Sequence, residues 1–350
     1  MEGLFFNVDS GYIEGIVRGY RNSLLTSQNY NNLTQCETLD DLKLQLAPSY
    51  GDVLNNVPSP LKTSTIATLA TSKLHSEFLY LRSVATGTLR TFMDYLQHGY
   101  MIDNVALLIT GTLHELDTSK LISRCHPLGL FEGLSVLCVA TNVDELYNTI
   151  LVETPLKTYF KGLTNKDLDE LNIEIIRNTL YKNYLEHFAE FCRTAEGIAG
   201  SPCQEIMEQI LNFEADRRAI NITLNSFGTE LSKDERKKLY PAMGKLYPVG
   251  TYQLGNAESN EAAIAGASTV SEYADFFKQA TMMGQQKSLE DLFYKKEMEI
   301  MKEVFTQQFT YAVVYAWLKL KEQEIRNITW IAECIAQNQK DRIGNYISIF

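Results

Sequence analysis

The chain has 350 residues, of which 45% are hydrophobic and only 8 are proline. This composition can bury the cores of two or three sub-domains and favours long uninterrupted helices. The net charge of −11 argues against a nucleic-acid partner and against electrostatic adhesion to an anionic membrane, because both require a basic surface.

Residues 11–25 form the first predicted helix, with apolar side chains recurring along one face. Gly11, Gly15 and Gly19 recur at every fourth position. Because glycine has no side chain, this spacing predicts a groove into which another backbone packs closely inside a soluble bundle. The membrane interpretation of the motif fails because charged residues interrupt a short segment.

A helix-capping signature occurs three times. Thr38, Asn142 and Thr269 each precede an acid by three residues, which is the spacing of an N-terminal capping box. Pairs of longer helical patterns accompany them, at 61–83 with 91–116, at 165–193 with 203–227, and within 289–342. No segment alternates with a period of two for long enough to require a sheet. We therefore predict an all-α fold of three weakly similar helical units, 1–118, 119–240 and 241–350.

Two local signals refine the second unit. Ser201 followed by Pro202 is typical of an N-cap and a first helical residue, so a helix is expected to begin there. The charged stretch 228–240 is expected to be a solvated helical connector between the second and third units.

The last long helix, predicted over residues 306–342, contains two exceptions to its amphipathic pattern. At about 100° per residue, Glu324 falls in the middle of an apolar stripe. Trp330 lies on the opposite, polar face with Arg326 and Glu333. Either a neighbouring helix covers this tryptophan or it anchors another subunit, since Trp and Arg dominate interface hot spots. These four residues are candidate partner contacts.

The last helix of each predicted unit carries an acid at a related position, namely Asp103, Asp216 and Glu324. Two interpretations stay open. Buried acids are usually paired structural groups, and the available arginines are Arg18, Arg90, Arg177, Arg217 and Arg218. Alternatively, the three acids line a polar three-fold interior that faces an inserted partner, which makes Asp103 and Asp216 candidate contacts as well.

Motifs that carry catalysis or bind cofactors are missing from the sequence. It has neither the Glu-x-x-His spacing of a di-iron bundle nor His-Glu-x-x-His. A Gly-x-x-x-x-Gly-Lys-Ser/Thr phosphate loop and a Gly-x-Ser-x-Gly elbow are absent as well. We therefore expect no catalytic residue, metal or cofactor. The acidic net charge favours proteins as partners, or small ligands that no motif indicates.

Secretion and direct membrane insertion are not expected. The first residues lack a basic region followed by an apolar core. The two most apolar windows, 105–113 and 311–320, fall short of the roughly 18 to 20 apolar residues that span a bilayer. The six scattered cysteines, without a Cys-x-x-Cys pair, are typical of a reducing cytosol. Any membrane association is expected to go through another protein.

Several long blocks of the sequence carry a resemblance to a known family. They are 11–19 (GYIEGIVRG), 33–43 (LTQCETLDDLK), 101–112 (MIDNVALLITGT), 124–129 (RCHPLG), 172–182 (NIEIIRNTLYK), 213–219 (FEADRRA), 225–232 (NSFGTELS), 321–337 and 345–350 (NYISIF). They run in order from end to end. The chain resembles the d subunits of eukaryotic vacuolar-type proton-pumping ATPases, which are similar to the C subunits of the archaeal-type ATPases. The stretches 195–202 and 256–286 depart most from the family pattern.

The resemblance implies three pseudo-three-fold-related helical sub-domains that form a funnel-shaped collar. It implies a non-catalytic central-stalk subunit of the rotor, peripheral on the cytosolic face of vacuolar and other endomembranes. The partners implied are the proteolipid ring, the central shaft and other membrane-sector subunits. Two alternatives are a helical scaffold or adaptor in membrane traffic, and a helical enzyme. The enzyme would need a metal-binding acid cluster, which the sequence does not show.

Overall fold

The computed structural model describes residues 2–113, 116–134, 154–161, 173–282 and 289–350. All regular elements within these ranges are helices, so the predicted all-α class is confirmed. The chain forms two compact units, the first from residues 1–93 and 288–350 and the second from residues 94–287. The three-fold repeat of the sequence stays a prediction.

The α-helices are numbered in chain order. They are α1 (Glu2–Asn22), α2 (Ser27–Thr34), α3 (Leu39–Leu54), α4 (Thr63–Val84), α5 (Gly87–Leu113), α6 (Thr118–Arg124), α7 (Ile173–Thr194), α8 (Pro202–Ser226), α9 (Lys233–Lys238), α10 (Val249–Asn256), α11 (Asn260–Ala267), α12 (Ser271–Met282), α13 (Leu289–Val304) and α14 (Ala312–Ala336). Short 3-10 turns occur at Pro127–Gly129, Pro155–Phe160 and Lys340–Arg342.

Helix α14 lies at the centre of the first unit, where it packs against α1, α3, α4 and α13. Its apolar stripe is buried, with Trp317, Leu320 and Ile331 all fully enclosed. The predicted span of 306–342 was too long at both ends. Phe309 and Asn338 each have a φ of 59°, and this left-handed conformation ends a right-handed helix. The central position of α14 explains why its polar residues need partners from several helices.

The glycines of α1 do not form the predicted close-packing groove. Gly15 and Gly19 are exposed, and a Cβ placed on either would meet no described atom within 4 Å. The helix instead buries Ile13 and Val17. Larger apolar side chains gain more free energy from burial than glycine does, so they decide which face of α1 turns inward.

The capping signatures had different outcomes. At Thr38 the box is confirmed, because its hydroxyl accepts from the Asp41 N–H and the Asp41 carboxylate accepts from the Thr38 N–H. Asn142 lies outside the described residues. At Thr269 the prediction was wrong, since α12 begins at Ser271 and the Thr269 hydroxyl donates instead to the Gly266 carbonyl.

In the second unit, α7 packs along α8, and α9, α10 and α11 pack on α8 as well. The predicted start of α8 is confirmed, with Ser201 accepting from the Cys203 N–H and Pro202 as the first helical residue. The charged connector contains the short helix α9, but it is not wholly solvated. Arg236 is buried and donates to the Ser226 hydroxyl and to the carbonyls of Gly255 and Ala257.

Candidate functional site

Glu324 is fully enclosed in the first unit and has three donors of its own chain. Its Oε1 accepts from Lys321 Nζ at 3.0 Å and from the Tyr50 hydroxyl at 2.6 Å. Its Oε2 accepts from the Leu25 N–H at 2.5 Å. Lys321 is also buried, and its Nζ lies 4.3 Å from the centre of the Tyr50 ring. The Glu324 carboxylate therefore forms an internal ion pair with Lys321 of its own helix. None of the arginines proposed as partners from the sequence takes this place.

A second set of charges extends this site across α3 and α4. Lys73 contacts Asp52 at 2.5 Å and Glu77 at 3.8 Å. Burial raises the pKa of the Glu77 carboxyl, while Lys321 and Lys73 lower it. The pKa of Tyr50 is raised well above its ordinary value by burial and then by the Glu324 carboxylate. Polar contacts thus tie α14 to α3 and to the loop after α1, and tie α3 to α4.

Asp216 is likewise fully enclosed, in the second unit, but its partners are not cations. The carboxylate accepts from the main-chain N–H groups of Lys245 at 2.9 Å and Leu246 at 3.1 Å, and from the Tyr273 hydroxyl at 2.9 Å. Burial raises the pKa of Asp216 to about 6, because desolvation outweighs these hydrogen bonds. This acid therefore fixes a turn and α12 onto α8.

The turn held by Asp216 depends on a glycine. Gly244 has a φ of +106°, and a Cβ at this position would lie 2.2 Å from Asp216 Oδ1. One turn earlier on α8, Asn212 Oδ1 accepts from the Gly244 N–H at 3.1 Å. Three consecutive main-chain N–H groups, those of residues 244–246, are therefore bound by two side chains of α8.

Asp103 differs from the other two acids because it reaches the surface. It pairs with Arg177, one of the predicted arginines, at 3.0 Å, with the two side chains 45% and 42% exposed. Beside this pair, Arg218 stacks 3.3 Å from the centre of the Tyr181 ring and also contacts Glu214 at 3.0 Å. Each of the three acids thus has its own partners. A shared three-fold interior stays a prediction.

The exposed face of α14 carries the other candidate contacts. Trp330 is 37% exposed, and its indole N–H donates to the Arg342 carbonyl at 3.2 Å. Arg326 lies 4.4 Å from the centre of the Tyr294 ring on α13, and Glu333 accepts from Gln337 at 3.1 Å. The predicted placement of Glu324 inside and Trp330 outside is confirmed, and partner contact at this face stays a prediction.

Sequence reasoning missed a group of buried polar residues on α14. Lys321, Gln323 and Asn327 are at most 2% exposed. Asn327 binds the main chain of Ile347 on both sides, donating to its carbonyl at 2.6 Å and accepting from its N–H at 3.2 Å. The available signal was the presence of three polar residues within one turn of Glu324, beside the apolar stripe.

Among the described residues, no group of three or more His, Cys, Asp or Glu side chains is placed to hold a metal ion. No helix in the same part of the chain combines the length and apolar character needed to cross a bilayer.

The chain matches known proteins along its whole length. A family model described as ATP synthase (C/AC39) subunit matches residues 13–346. The chain is 64% identical to the V-type proton ATPase subunit d of Neurospora crassa, with all of both chains covered. It is 53% identical to the V-type proton ATPase subunit d of Saccharomyces cerevisiae, again covering both fully. Identity to V-type proton ATPase subunit d1 of Arabidopsis thaliana is 49%, over 99% of this chain and 98% of the relative.

Proposed function

The chain belongs to the ATP synthase (C/AC39) subunit family, and from that premise we propose that it is the non-catalytic coupling subunit in the rotor of a vacuolar-type proton-pumping ATPase. In this role it sits on the cytosolic end of the proteolipid ring and receives the foot of the central shaft. Rotation driven by ATP hydrolysis then passes through it to the ring, where protons move. The observation that carries the proposal is the 64% identity over the full length to a V-type proton ATPase subunit d.

The internal contacts of the chain support a mechanical role. A coupler must be stiff, because torque that deforms it is not delivered, and close-packed helical cores resist compression. In the first unit, the buried Lys321–Glu324 pair and Tyr50 link α14 to α3. In the second, Asp216 fixes a turn and α12 onto α8. Polar links of this kind have narrow geometric tolerance, so they resist sliding between helices more than apolar contacts do.

The proposal includes a funnel of three related helical sub-domains with two distinct interfaces, one for the ring and one for the shaft. The proposed contact residues are the surface pair Asp103–Arg177, the exposed side chains Trp330 and Arg326, and the partly exposed Glu333. These side chains are accessible in the isolated chain, and Trp and Arg are frequent in interface hot spots. Glu324 and Asp216 are enclosed, so under this proposal they act by holding the helices that carry the contacts.

A fractionation experiment tests the proposal. The chain is expressed with an affinity tag in cells that lack their own d subunit, and the catalytic sector is washed off purified membranes. We expect the chain to remain with the proteolipid sector at a fixed stoichiometry and to restore ATP-driven acidification. Recovery only with the released soluble fraction would overturn the proposal. Substoichiometric recovery without acidification would favour a helical scaffold in membrane traffic.

A further inference from the structure

Residues 345–350 form no helix, and the rest of the first unit binds them through the main chain of Ile347 and Phe350. Asn327 donates from Nδ2 to the Ile347 carbonyl at 2.6 Å and accepts through Oδ1 from the Ile347 N–H at 3.2 Å. A side-chain amide that binds both main-chain groups of one residue reproduces one rung of a β-ladder. This recognition requires an extended peptide but no particular side chain at that position.

Side chains on both sides of this rung add specificity. The Tyr346 ring stacks on Tyr30 of α2, with centroids 4.8 Å apart and an interplanar angle of 21°. Ile349 is fully buried. The Ser27 hydroxyl donates to the Phe350 carbonyl at 2.7 Å, and the Arg21 guanidinium lies 4.8 Å from the centre of the Phe350 ring. One short segment therefore contacts α1, α2 and α14.

The receiving surface is organised by its own contacts. The Asn327 amide also donates to the Tyr30 hydroxyl at 3.3 Å, and its Oδ1 accepts from Gln323 at 2.9 Å. Burial raises the pKa of Tyr30 well above its ordinary value, and the nearby Glu324 carboxylate adds to this effect, so the hydroxyl stays protonated. Asn327 and Tyr30 are thus held in place from the side of α14 and α2, independently of residues 345–350.

The connection to α14 is loose by comparison. Residues 336–342 are all exposed, and the Arg342 carbonyl is held by the Trp330 indole. Ile343 is buried, but Gly344 and Asn345 are exposed again. Segments with few buried contacts rearrange locally at low free energy, so the exposed residues 336–342 can follow residues 345–350 when these leave, without unwinding α14.

We propose that Ser27, Tyr30 and Asn327 form a binding site for an extended peptide, and that residues 345–350 occupy it as a detachable strap tying α1 and α2 to α14. The ligand class is an extended segment with an aromatic ring one residue before the rung and an aliphatic side chain two residues after it. When bound, the strap links helices from both ends of the sequence. Its effect on torque transfer rests on the proposed function, but its binding does not.

A peptide-binding experiment on the full-length chain tests the site. In Ile349→Asp the buried anchor becomes a charge, which unseats the strap and leaves Ser27, Tyr30 and Asn327 intact. A fluorescent synthetic peptide with the sequence of residues 345–350 is added, and anisotropy reports binding. We expect Ile349→Asp to bind it roughly tenfold or more tightly than the unaltered chain, in which the tethered strap competes at a high effective concentration.

Matched variants distinguish peptide binding at this site from a general loosening of the fold. The double variant Ile349→Asp with Asn327→Ala lacks the rung and is expected to lose this binding. Ile349→Asp with Thr329→Ala is the control and is expected to retain it, because the Thr329 hydroxyl donates to the Ile325 carbonyl of its own helix and not to residues 345–350. Should Ile349→Asp lose helicity, Ile347→Pro serves instead, since it removes the N–H that donates to Asn327.

Hydrogen exchange supplies a readout that does not involve the added peptide. We expect the Ile347 amide to be protected in the unaltered chain and to lose its protection in Asn327→Ala, with α14 unchanged. Equal peptide binding by all variants, or an Ile347 amide that exchanges freely in the unaltered chain, would overturn the proposal. Neither measurement depends on assembly with an ATPase, so its failure is distinguishable from failure of the coupling role.

Discussion

Lys321 and Glu324 form an ion pair that the chain encloses completely, with 3.0 Å between Nζ and Oε1 and side-chain exposures of 1% and 0%. The pair lies one turn apart on α14 and is completed by Tyr50 and the Leu25 N–H. Since two charges lose their hydration here, the arrangement is stable only while both partners are present. Loss of one partner leaves an uncompensated buried charge.

We therefore expect Lys321→Met to lower the free energy of unfolding by about 3 to 5 kcal/mol. The double variant Lys321→Met with Glu324→Gln should recover part of this loss, because the amide oxygen still accepts a hydrogen bond and no charge is left. Urea unfolding followed by circular dichroism measures both.

The control is Lys340→Met, which breaks an ion pair with Glu37. The two side chains are 53% and 78% exposed, so this change should alter the free energy of unfolding by less than about 1 kcal/mol. If Lys321→Met costs no more than the control, the pair does not stabilise the first unit.

The close contact between Gly244 and Asp216 gives a second prediction. Gly244→Ala forces a Cβ to within 2.2 Å of Asp216 Oδ1 at a positive φ, so it should destabilise the second unit. Gly228→Ala is the matched control, because its φ is +80° and its Cβ would meet no described atom within 4 Å. We expect the Gly244 variant to cost roughly 1 to 3 kcal/mol more than the control. Equal losses in the same urea titration would show that backbone conformation alone, and not the contact with Asp216, requires glycine.

The titration of Asp216 predicts a pH dependence of stability. Burial raises its pKa in the folded chain to about 6, from an ordinary value of 3.8. Between pH 3.8 and pH 6, Asp216 holds a proton in the folded chain but has released it in the unfolded chain. The stability gained from this proton is therefore fully present below pH 3.8 and is lost as the pH rises through 6. Relative to Asp216→Asn, the unaltered chain should gain about 1.4 kcal/mol of stability per unit of falling pH within this window. Urea titrations of both chains between pH 6 and pH 4 measure the difference in their free energies of unfolding. If the unaltered chain instead loses stability relative to Asp216→Asn as the pH falls, the predicted direction is wrong.

Period and local capping rules predicted much of this fold. The 3.6-residue period correctly placed Glu324 inside and Trp330 outside α14, and Thr38 and Ser201 marked helix starts, because these features depend on neighbours within one or two turns. The glycine spacing on α1 misled because small residues suit an exposed face as well as a packed one. Sequence spacing cannot tell which neighbour is present.

The partners of the buried acids were harder to predict. Lys321 lies about 60° around the helix from Glu324, at the edge of the apolar stripe, and its long methylene stem lets the ammonium group reach inward. The donors to Asp216 include main-chain N–H groups some 30 residues away, which no side-chain pattern reports. Asn327 binds a main chain 20 residues further on. Contacts to a distant backbone depend on tertiary packing, which the sequence pattern alone does not reveal.

Trp330 gives the last prediction, which depends on the coupling role. Trp330→Ala removes a 37% exposed ring whose N–H donates to Arg342, and we expect helicity to be kept while fewer protons are pumped per ATP hydrolysed. If the ring is an interface anchor, its removal should weaken assembly roughly 10- to 30-fold. Trp330→Phe keeps an aromatic ring but loses the N–H. It should preserve coupling if contact through the ring matters, and it should resemble Trp330→Ala if the hydrogen bond to Arg342 matters. Gln339→Ala, at an exposed position shortly after α14, is the control for general surface effects. Acidification and ATP hydrolysis measured on the same vesicles give the ratio. An unfolded Trp330→Ala chain would assign the ring to the core, and an unchanged ratio would remove it from the contact surface.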